Sequence, residues 1–320
     1  MKRALVFGVS GQDGGYLSKL LISKEYIVYG VSRDAEDSNF ENLRKLNVLD
    51  KIKLISATIS DSKSVLQVIM KVKPDEIYNL AGQTSVGLSF KEPMETMKSI
   101  SLGVLNILEA IRFSEFNIKF YNAGSSESFG KNYNVLDENT SFNPRSPYGV
   151  AKSTAFWNVA IYREAYNIYA CTGILFNHES PFRKEGFVTK KIISTVCRIA
   201  NGSNEKLALG NINIFRDWGW APEYVETMWL MLQQDNPDDF VIATGETISL
   251  KDFIDIAFKY FDLNMKDHVI IDNNLLRPIE IEKVIANPTK AKLKLNWKAK
   301  TKAKSLVERM IDCELNNTFY

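Results

Sequence analysis

The sequence predicts an α/β fold built on a doubly wound parallel sheet, with a smaller C-terminal lobe interleaved with it. In the first half, short apolar segments that suit buried strands alternate with amphipathic segments that suit helices. Alternation at this spacing is typical of parallel strands joined by right-handed helical crossovers. The 320 residues suffice for one large α/β domain with a smaller partner.

The elements follow one another in a regular order. The expected strands are RALVFGV, YIVYGVS, IKLISAT, EIYNLAG, IKFYNAG and, later, IYACTGILF. The expected helices between the early strands are GGYLSKLLISK, SKSVLQVIMKVK and MKSISLGVLNILEAIRF, and a long helix begins near Ser146. After residue 176 the pattern loosens. We therefore expect residues 1–176 to form mainly the sheet domain and residues 177–320 mainly a second lobe, with segments that return to the sheet.

Composition narrows the class of protein. Apolar residues make up 45% of the chain and charged residues 24%, and the net charge is only +2. These values indicate a globular protein and give no global reason to expect binding to nucleic acid or membrane. Three widely spaced cysteines and two histidines predict no disulfide framework and no metal site. This cysteine pattern favours the cytoplasm.

A glycine-rich loop joins the first strand to the first helix. Gly8, Gly11 and Gly14 have a Gly-x-x-Gly-x-x-Gly spacing. Glycines there allow a tight turn and let backbone N–H groups reach a pyrophosphate at the helix N-terminus. The context predicts a dinucleotide-binding loop of the Rossmann type. The expected cofactor contacts in the loop are Gly8, Ser10, Gly11, Gln12, Asp13 and Gly14.

The end of the second strand bears on the choice of cofactor. An acidic residue there usually binds the ribose hydroxyls of NAD, whereas an arginine accommodates the extra phosphate of NADP. The chain has Ser32 and Arg33, followed by Asp34. Arg33 favours NADP, and Asp34 leaves NAD possible.

The segment PRSPYGVAKS places a tyrosine four residues before a lysine. On a helix, Tyr148 and Lys152 lie one turn apart on the same face. An ammonium near a phenol favours the phenolate, so we expect Lys152 to lower the pKa of Tyr148. Such a phenol can exchange protons with a sugar hydroxyl. A lone pair of this kind can also be two unrelated surface residues, so the surrounding motifs have to decide.

Two further segments, NLAGQTSV and YNAGSSESFG, fall at the carboxyl ends of expected strands, where ligands bind in such sheets. Together with Tyr148 and Lys152 they make the chain resemble an extended short-chain dehydrogenase/reductase. Within that superfamily it resembles the GDP-mannose 4,6-dehydratases. The resemblance runs through GQDGGYL, PRSPYGVAK, YREAYN, GILFNHESP, FVTKKI, RDWG, YVETMWLMLQ, DFVIATGE, RPIE and TKAKLKLNW.

This resemblance implies a reaction in which NADP accepts hydride from C4 of a GDP-sugar and returns it to C6. Tyr148 would take the 4-hydroxyl proton, and Lys152 would hold the nicotinamide ribose. Ser125 would hydrogen-bond the C4 oxygen. Glu127 would remove the C5 proton, and Ser126 would help the C6 hydroxyl to leave. Residues 1–176 would then mainly bind NADP, and residues 177–320 would mainly bind the nucleotide sugar.

The resemblance also implies binding residues outside this group. Leu80 and Ala81 would contact the cofactor. The substrate residues would be Ser85, Asn177, Lys191, Arg216, Arg277 and Glu280, with the arginines and the lysine neutralising the diphosphate. His178 has no part in this scheme and is interpreted as a hydrogen-bonded structural residue. Relatives of this kind imply a homodimer or a homotetramer.

Several departures from the family pattern leave alternatives open. Thr58 and Ile59 replace an Asp-Leu pair, and LLRP replaces an aromatic-rich segment. Ser128 and Phe129 replace Leu-Tyr at a place expected to border the sugar pocket. The resemblance implies GDP-mannose as the substrate, and these departures leave a close analogue such as a GDP-heptose open. Enzymes with another outcome, a C4 dehydrogenase, a 4-reductase or an epimerase, are the alternatives, followed by a non-catalytic NADP-binding protein.

Overall fold

The computed structural model describes residues 1–36, 38–132 and 134–319. Its strands are β1 (Arg3–Phe7), β2 (Ile27–Ser32), β3 (Ile52–Ser56), β4 (Glu76–Asn79), β5 (Lys119–Ala123), β6 (Val135–Leu136), β7 (Ala170–Leu175), β8 (Asn177–Glu179), β9 (Leu207–Leu209), β10 (Phe215–Trp220), β11 (Phe240–Ile242), β12 (Thr247–Ser249), β13 (Val269–Ile271) and β14 (Ile285–Ala286).

The α-helices are α1 (Gln12–Ser23), α2 (Glu41–Lys45), α3 (Ser62–Val72), α4 (Val86–Lys91), α5 (Pro93–Met97), α6 (Gly103–Ser114), α7 (Pro147–Tyr166), α8 (Val188–Ala200), α9 (Ala221–Leu232), α10 (Leu250–Lys259), α11 (Thr289–Lys294) and α12 (Ala303–Asn316). None of the helices in the described ranges is long and apolar enough to cross a bilayer.

Seven strands form the main sheet in the order β11-β7-β5-β4-β1-β2-β3. Every pair of neighbours in it is parallel, which confirms the predicted fold class. The chain leaves β1 toward β2 and β3, and then crosses to β4 on the other side of β1. At such a switch point the loops diverge, so a crevice opens beyond the carboxyl ends of β1 and β4.

Helices cover both faces of this sheet. Helices α1 and α9 pack on one face, and α3, α6 and α7 pack on the other. The spacing of the apolar residues explains this packing for α3, because Val65, Val68, Ile69 and Val72 share one buried face. The side chain of Asp61 caps that helix by accepting from the backbone N–H groups of its first turn. Each buried side chain of this kind stabilises the fold by about 1.5–3 kcal/mol.

The second half of the chain builds a separate core and also returns to the sheet. Strands β8, β10 and β12 form a small sheet, and β9 pairs with β13. Helices α8, α10 and α12 pack with these strands around one hydrophobic cluster. In contrast, α9 packs against α1, and β11 pairs with β7 at the edge of the main sheet. The cleft described below lies between these two parts.

One predicted helix differs from the expected form. The segment from Met97 to Phe113 is continuous, but residues Lys98–Leu102 form a π-helical turn between α5 and α6. Within this turn, the hydroxyl of Ser101 donates to the carbonyl oxygen of Ala151 in α7 at 3.0 Å. Turns of this kind are rare and frequently lie at functional sites. Here it joins α6 to the helix that carries Tyr148 and Lys152.

Candidate active site

A cleft of about 840 Å³ opens beyond the carboxyl ends of β4, β5 and β7, between the main sheet and the second lobe. The elements that border it are distant in sequence, and the crossovers of the sheet bring them together. Among the predicted site residues, those that line the cleft are Asp13, Leu80, Ser85, Ser125, Ser126, Glu127, Tyr148, Lys152, Asn177, Lys191, Arg216 and Arg277.

The glycine loop forms a tight connection from β1 to α1. Gly8 has φ +82°, a left-handed conformation that favours glycine. A Cβ on Gly14 would lie 2.3 Å from the carbonyl oxygen of Gly8, so this close approach admits no side chain. Gly11 is the N-cap of α1 and offers no capping side chain. The first-turn N–H groups, which lack intrahelical acceptors, therefore fit the pyrophosphate of a dinucleotide.

Replacing Gly14 by alanine is expected to weaken cofactor binding and to lower stability by at least about 2 kcal/mol, because the methyl group collides with the loop backbone. Thermal denaturation and titration with NADP⁺ measure the two effects. Gly15→Ala is the matched control in the same helix. Its Cβ would come closest to the end of the Leu46 side chain, at 3.1 Å, and that flexible end can move aside. Equal effects of both substitutions would contradict the assignment of the loop.

The remaining predicted cofactor residues surround this loop. The carbonyl oxygen of Ser10 accepts from Asn42 Nδ2 at 3.0 Å, and Ser10 itself is exposed. Leu80 and Ala81 follow β4 directly, and Leu80 N donates to the carbonyl oxygen of Phe7 at 3.0 Å. Arg33 is exposed directly after β2, outside the cleft lining but at the same edge of the sheet as the loop.

Tyr148 and Lys152 lie in the first turns of α7, as the sequence predicts. The hydroxyl of Ser146 caps this helix by accepting from Gly149 N at 3.0 Å. Both side chains are buried, and Lys152 Nζ donates to the carbonyl oxygen of Ala123 at 2.7 Å. The lysine therefore joins α7 to the end of β5.

The expected lowering of the Tyr148 pKa by Lys152 is wrong for this structure. Burial raises the pKa of Tyr148 to about 12, although the neighbouring hydroxyl of Ser125 opposes the shift. Burial also lowers the pKa of Lys152 to about 8. Its Nζ is 5.7 Å from the centre of the tyrosine ring and is bonded to a carbonyl. Desolvation is the largest influence on the pKa of each group.

Ser125, Ser126 and Glu127 occupy the turn after β5. Ser125 Oγ accepts from Glu127 N at 3.3 Å and so begins a short 3₁₀ helix, Ser126–Ser128. Burial raises the pKa of the Glu127 carboxyl, while the positive charges of Arg216 and Arg277 act against the rise. A carboxyl with a raised pKa is suited to take up and release a proton near neutral pH.

Positive charge borders the cleft on the side of the second lobe. Arg216 is buried, and its Nη2 donates to Glu280 Oε1 at 2.9 Å. Arg277 Nη1 lies 3.5 Å from the same oxygen, and Lys191 Nζ donates to the carbonyl oxygen of Ala208 at 2.6 Å. Glu280 itself does not line the cleft and reaches it only through these arginines.

Two residues that we expected to border the sugar pocket lie outside the cleft. Ser128 and Phe129 are buried, and neither lines the cleft. Phe129 instead packs in a hydrophobic cluster with Phe142 and Phe176. The 3₁₀ turn rotates these side chains away from the cleft, whereas Glu127 is directed into it. Their departure from the family pattern therefore gives no reason to expect an enlarged sugar pocket.

The sequence interpretation missed Arg183 as a cleft residue. Its guanidinium carbon lies 3.9 Å from the centre of the Phe187 ring, and its Nε lies 2.9 Å from Glu179 Oε2. Both Arg183 and Glu179 line the cleft. The signal was the charged segment SPFRKEG, which begins three residues after Asn177, but charged loops are usually solvated.

Comparison with known proteins agrees with this geometry. A family model described as GDP-mannose 4,6 dehydratase matches residues 5–310. GDP-mannose 4,6 dehydratase 1 of Arabidopsis thaliana is 46% identical over 324 residues, which cover 98% of this chain and 90% of that protein. The chain belongs to the GDP-mannose 4,6-dehydratase family. It is thus an enzyme of the extended short-chain dehydrogenase/reductase type.

Solved structures show the same fold for this dehydratase family member. A dTDP-glucose 4,6-dehydratase from Bacillus anthracis in complex with NAD has a TM-score of 0.85 at 16% identity and covers 99% of this chain and 97% of its own. RMD from Pseudomonas aeruginosa, complexed with NADPH, has a TM-score of 0.80 at 20% identity and covers 99% of this chain and 100% of its own. At these identities the likeness concerns the fold alone.

Proposed function

We propose that the protein is a GDP-mannose 4,6-dehydratase that converts GDP-mannose to its 4-keto-6-deoxy derivative with a nicotinamide cofactor. The observation that carries this proposal is the buried carboxyl of Glu127 in the same cleft as Tyr148. A phenol and a lysine suffice for oxidation at C4. Removal of water needs in addition a base for the C5 proton, and Glu127 supplies it.

The residues would act in turn on one bound sugar. Burial raises the pKa of Tyr148, so the positive charges of Lys152 and of the bound nicotinamide would have to favour its phenolate, which then takes the proton of the 4-hydroxyl. Ser125 donates a hydrogen bond to the C4 oxygen as it becomes a carbonyl. A bound nicotinamide cofactor would supply the hydride acceptor for C4 and the hydride donor for C6. The Glu127 carboxylate removes the C5 proton, which the new ketone acidifies. Ser126 and Glu127 then deliver a proton to the leaving C6 hydroxyl, which departs as water.

The cofactor is proposed to be NADP. The glycine loop supports a dinucleotide, and Leu80, Ala81 and Lys152 are proposed to contact it. Arg33 supports NADP because a guanidinium at the end of β2 can pair with the 2′-phosphate. Because solved structures with this fold include one complexed with NAD and one complexed with NADPH, the proposal of NADP depends on this arginine.

The nucleotide sugar is proposed to lie along the second lobe. Lys191, Arg216 and Arg277 would neutralise its diphosphate, and Ser85 and Asn177 would bind its polar groups. Glu280, which does not line the cleft, would hold the two arginines in place. In this scheme residues 1–176 mainly bind the cofactor and residues 177–320 mainly bind the substrate, with α9 and β11 supporting the sheet.

Product mass tests the proposal against its alternatives. The purified protein would be incubated with GDP-mannose and NADP⁺ and, as controls, with other nucleotide sugars. We expect GDP-mannose to lose one water without accumulation of reduced cofactor. Loss of two hydrogens with stoichiometric NADPH would indicate a C4 dehydrogenase, and unchanged mass with altered stereochemistry would indicate an epimerase. A bound cofactor without turnover of any sugar would indicate a binding protein.

The protein is further proposed to act as a homodimer or homotetramer in the cytoplasm. Three cysteines that are free and buried support a reducing compartment. The outer face of α7 presents Val150, Trp157 and Ile161, which are 43%, 56% and 55% exposed. A large apolar stripe on the catalytic helix is typical of a subunit interface.

Replacing Trp157 by arginine is expected to shift the protein toward monomers, because the guanidinium would be desolvated in an apolar interface. Light scattering measures the mass of both forms. Leu293→Arg is the matched control, because Leu293 is 76% exposed but lies on α11, away from this stripe. A wild-type protein that is already monomeric would end the oligomer proposal.

A further inference from the structure

The strongest unassigned feature of the cleft is a pair of charged side chains, Asp13 and His178. His178 Nδ1 lies 2.8 Å from the carbonyl oxygen of Phe176, and Nε2 lies 2.8 Å from Asp13 Oδ2. A carbonyl oxygen only accepts, so Nδ1 must carry a hydrogen. An ionised carboxylate also only accepts, so Nε2 must carry one too. The ring is then an imidazolium.

The surroundings favour this charged form of the pair. Burial lowers the pKa of His178, but the carboxylate of Asp13 outweighs that effect and the net shift is upward. For Asp13 burial raises the pKa, and His178 reverses the shift. The imidazolium ring also stacks on Tyr224, with the ring centres 4.8 Å apart. Both side chains line the cleft.

Neighbouring hydrogen bonds fix the two segments to each other. Gln12 Nε2 donates to the carbonyl oxygen of His178 at 3.2 Å, and Ser180 Oγ donates to Gln12 Oε1 at 2.7 Å. Consecutive residues of the first turn of α1 thus hold the segment that begins with Asn177. The glycine loop and Asn177, a proposed substrate residue, are therefore held in a fixed position relative to each other.

The charge of Asp13 poses a problem at this place. Asp13 lies in the first turn of α1, the end at which a pyrophosphate would be bound. An uncompensated carboxylate there would occupy the positive end of the helix and repel the anion. The imidazolium of His178 supplies the opposite charge in direct contact with it.

We propose that the Asp13–His178 ion pair is a positioning device that cancels the charge of Asp13, so that the first turn of α1 accepts the dinucleotide pyrophosphate. This inference rests on the proposed cofactor binding. Both residues then affect the affinity for the cofactor indirectly, through the charge at the start of α1 and the position of the glycine loop. Neither residue needs to touch the reacting atoms of the sugar.

A cycle of charge-changing variants tests this inference through the dissociation constant of NADP⁺, measured by calorimetry without substrate. His178→Gln keeps a donor for Asp13 but removes the positive charge, and should weaken binding at least roughly tenfold. Asp13→Asn combined with His178→Gln restores a neutral hydrogen-bonded pair, and should return affinity to within about threefold of wild type. His268→Gln, which changes the chain's other histidine, should leave affinity unchanged.

Each outcome decides between explanations. Unchanged affinity in a folded His178→Gln protein would overturn the inference, as would a double variant that binds no better than that single variant. Nitrogen NMR of the wild type supplies a test without substitution, since we expect both ring nitrogens of His178 to be protonated at neutral pH. An unprotonated nitrogen would overturn the charge assignment. A wild-type protein that binds neither NADP⁺ nor NAD⁺ would overturn the proposed function itself.

Discussion

Glu127→Gln is expected to reduce the release of water by about 10²–10⁴-fold while C4 oxidation continues. Glutamine fills the space of the carboxylate but cannot remove the C5 proton. Hydride would therefore reach the cofactor and remain there, and reduced NADP would accumulate up to one equivalent per site. Stopped-flow absorbance and product mass follow the two halves of the reaction separately.

A matched carboxyl outside the cleft controls for burial. Burial also raises the pKa of Glu138, whose Oε1 accepts from Val241 N at 2.7 Å. Glu138→Gln is expected to leave dehydration unchanged, because Glu138 does not line the cleft. Full dehydration by Glu127→Gln would remove Glu127 from its proposed role. Loss of both halves together would instead assign it to sugar binding.

Tyr148→Phe is expected to slow the first hydride transfer by about 10²–10⁴-fold, because no other group accepts the 4-hydroxyl proton. The buried ring keeps its packing in this variant, so the fold and the affinity for NADP⁺ should be retained. Single-turnover formation of reduced cofactor measures the step directly. Unlike Glu127→Gln, this variant should show no accumulation of reduced NADP.

The control for this substitution is another tyrosine of the same helix. Tyr162 Oη donates to Glu109 Oε1 at 2.5 Å, outside the cleft. Tyr162→Phe should retain full activity and lose only a surface hydrogen bond. Rapid hydride transfer in the Tyr148→Phe protein would show that another group of the cleft, such as the Glu127 carboxylate, takes the proton.

The main sheet could be predicted because its strands are mostly apolar and because apolar residues recur every three to four positions in its helices. These patterns arise because a strand of this sheet is buried on both faces and a helix on one face, and such burial can be read from the order of apolar residues. The π-helical turn at Lys98–Leu102 could not be predicted in this way. An extra residue in a turn shifts the buried face only slightly, and the bond from Ser101 to Ala151 depends on a helix 50 residues later.

The candidate site was predictable as far as motifs mark the carboxyl ends of strands. The catalytic and diphosphate-binding residues predicted there line one cleft. The directions of side chains and their protonation states were harder to predict from the sequence. Phe129 turns into the core, and burial raises the pKa of Tyr148 where the spacing suggested a decrease. Both outcomes depend on the packed surroundings, which adjacent residues in the sequence do not specify.

The most direct measurement follows the hydrogen at C4 of the sugar. GDP-mannose carrying deuterium at C4 would be incubated with the enzyme and unlabelled NADP⁺, and the product analysed by NMR and mass. The proposed reaction predicts a 4-keto-6-deoxy product that has lost one water and carries the deuterium at C6. Deuterium that remains on reduced cofactor, or a product that retains its C6 hydroxyl, would contradict dehydration by internal hydride transfer.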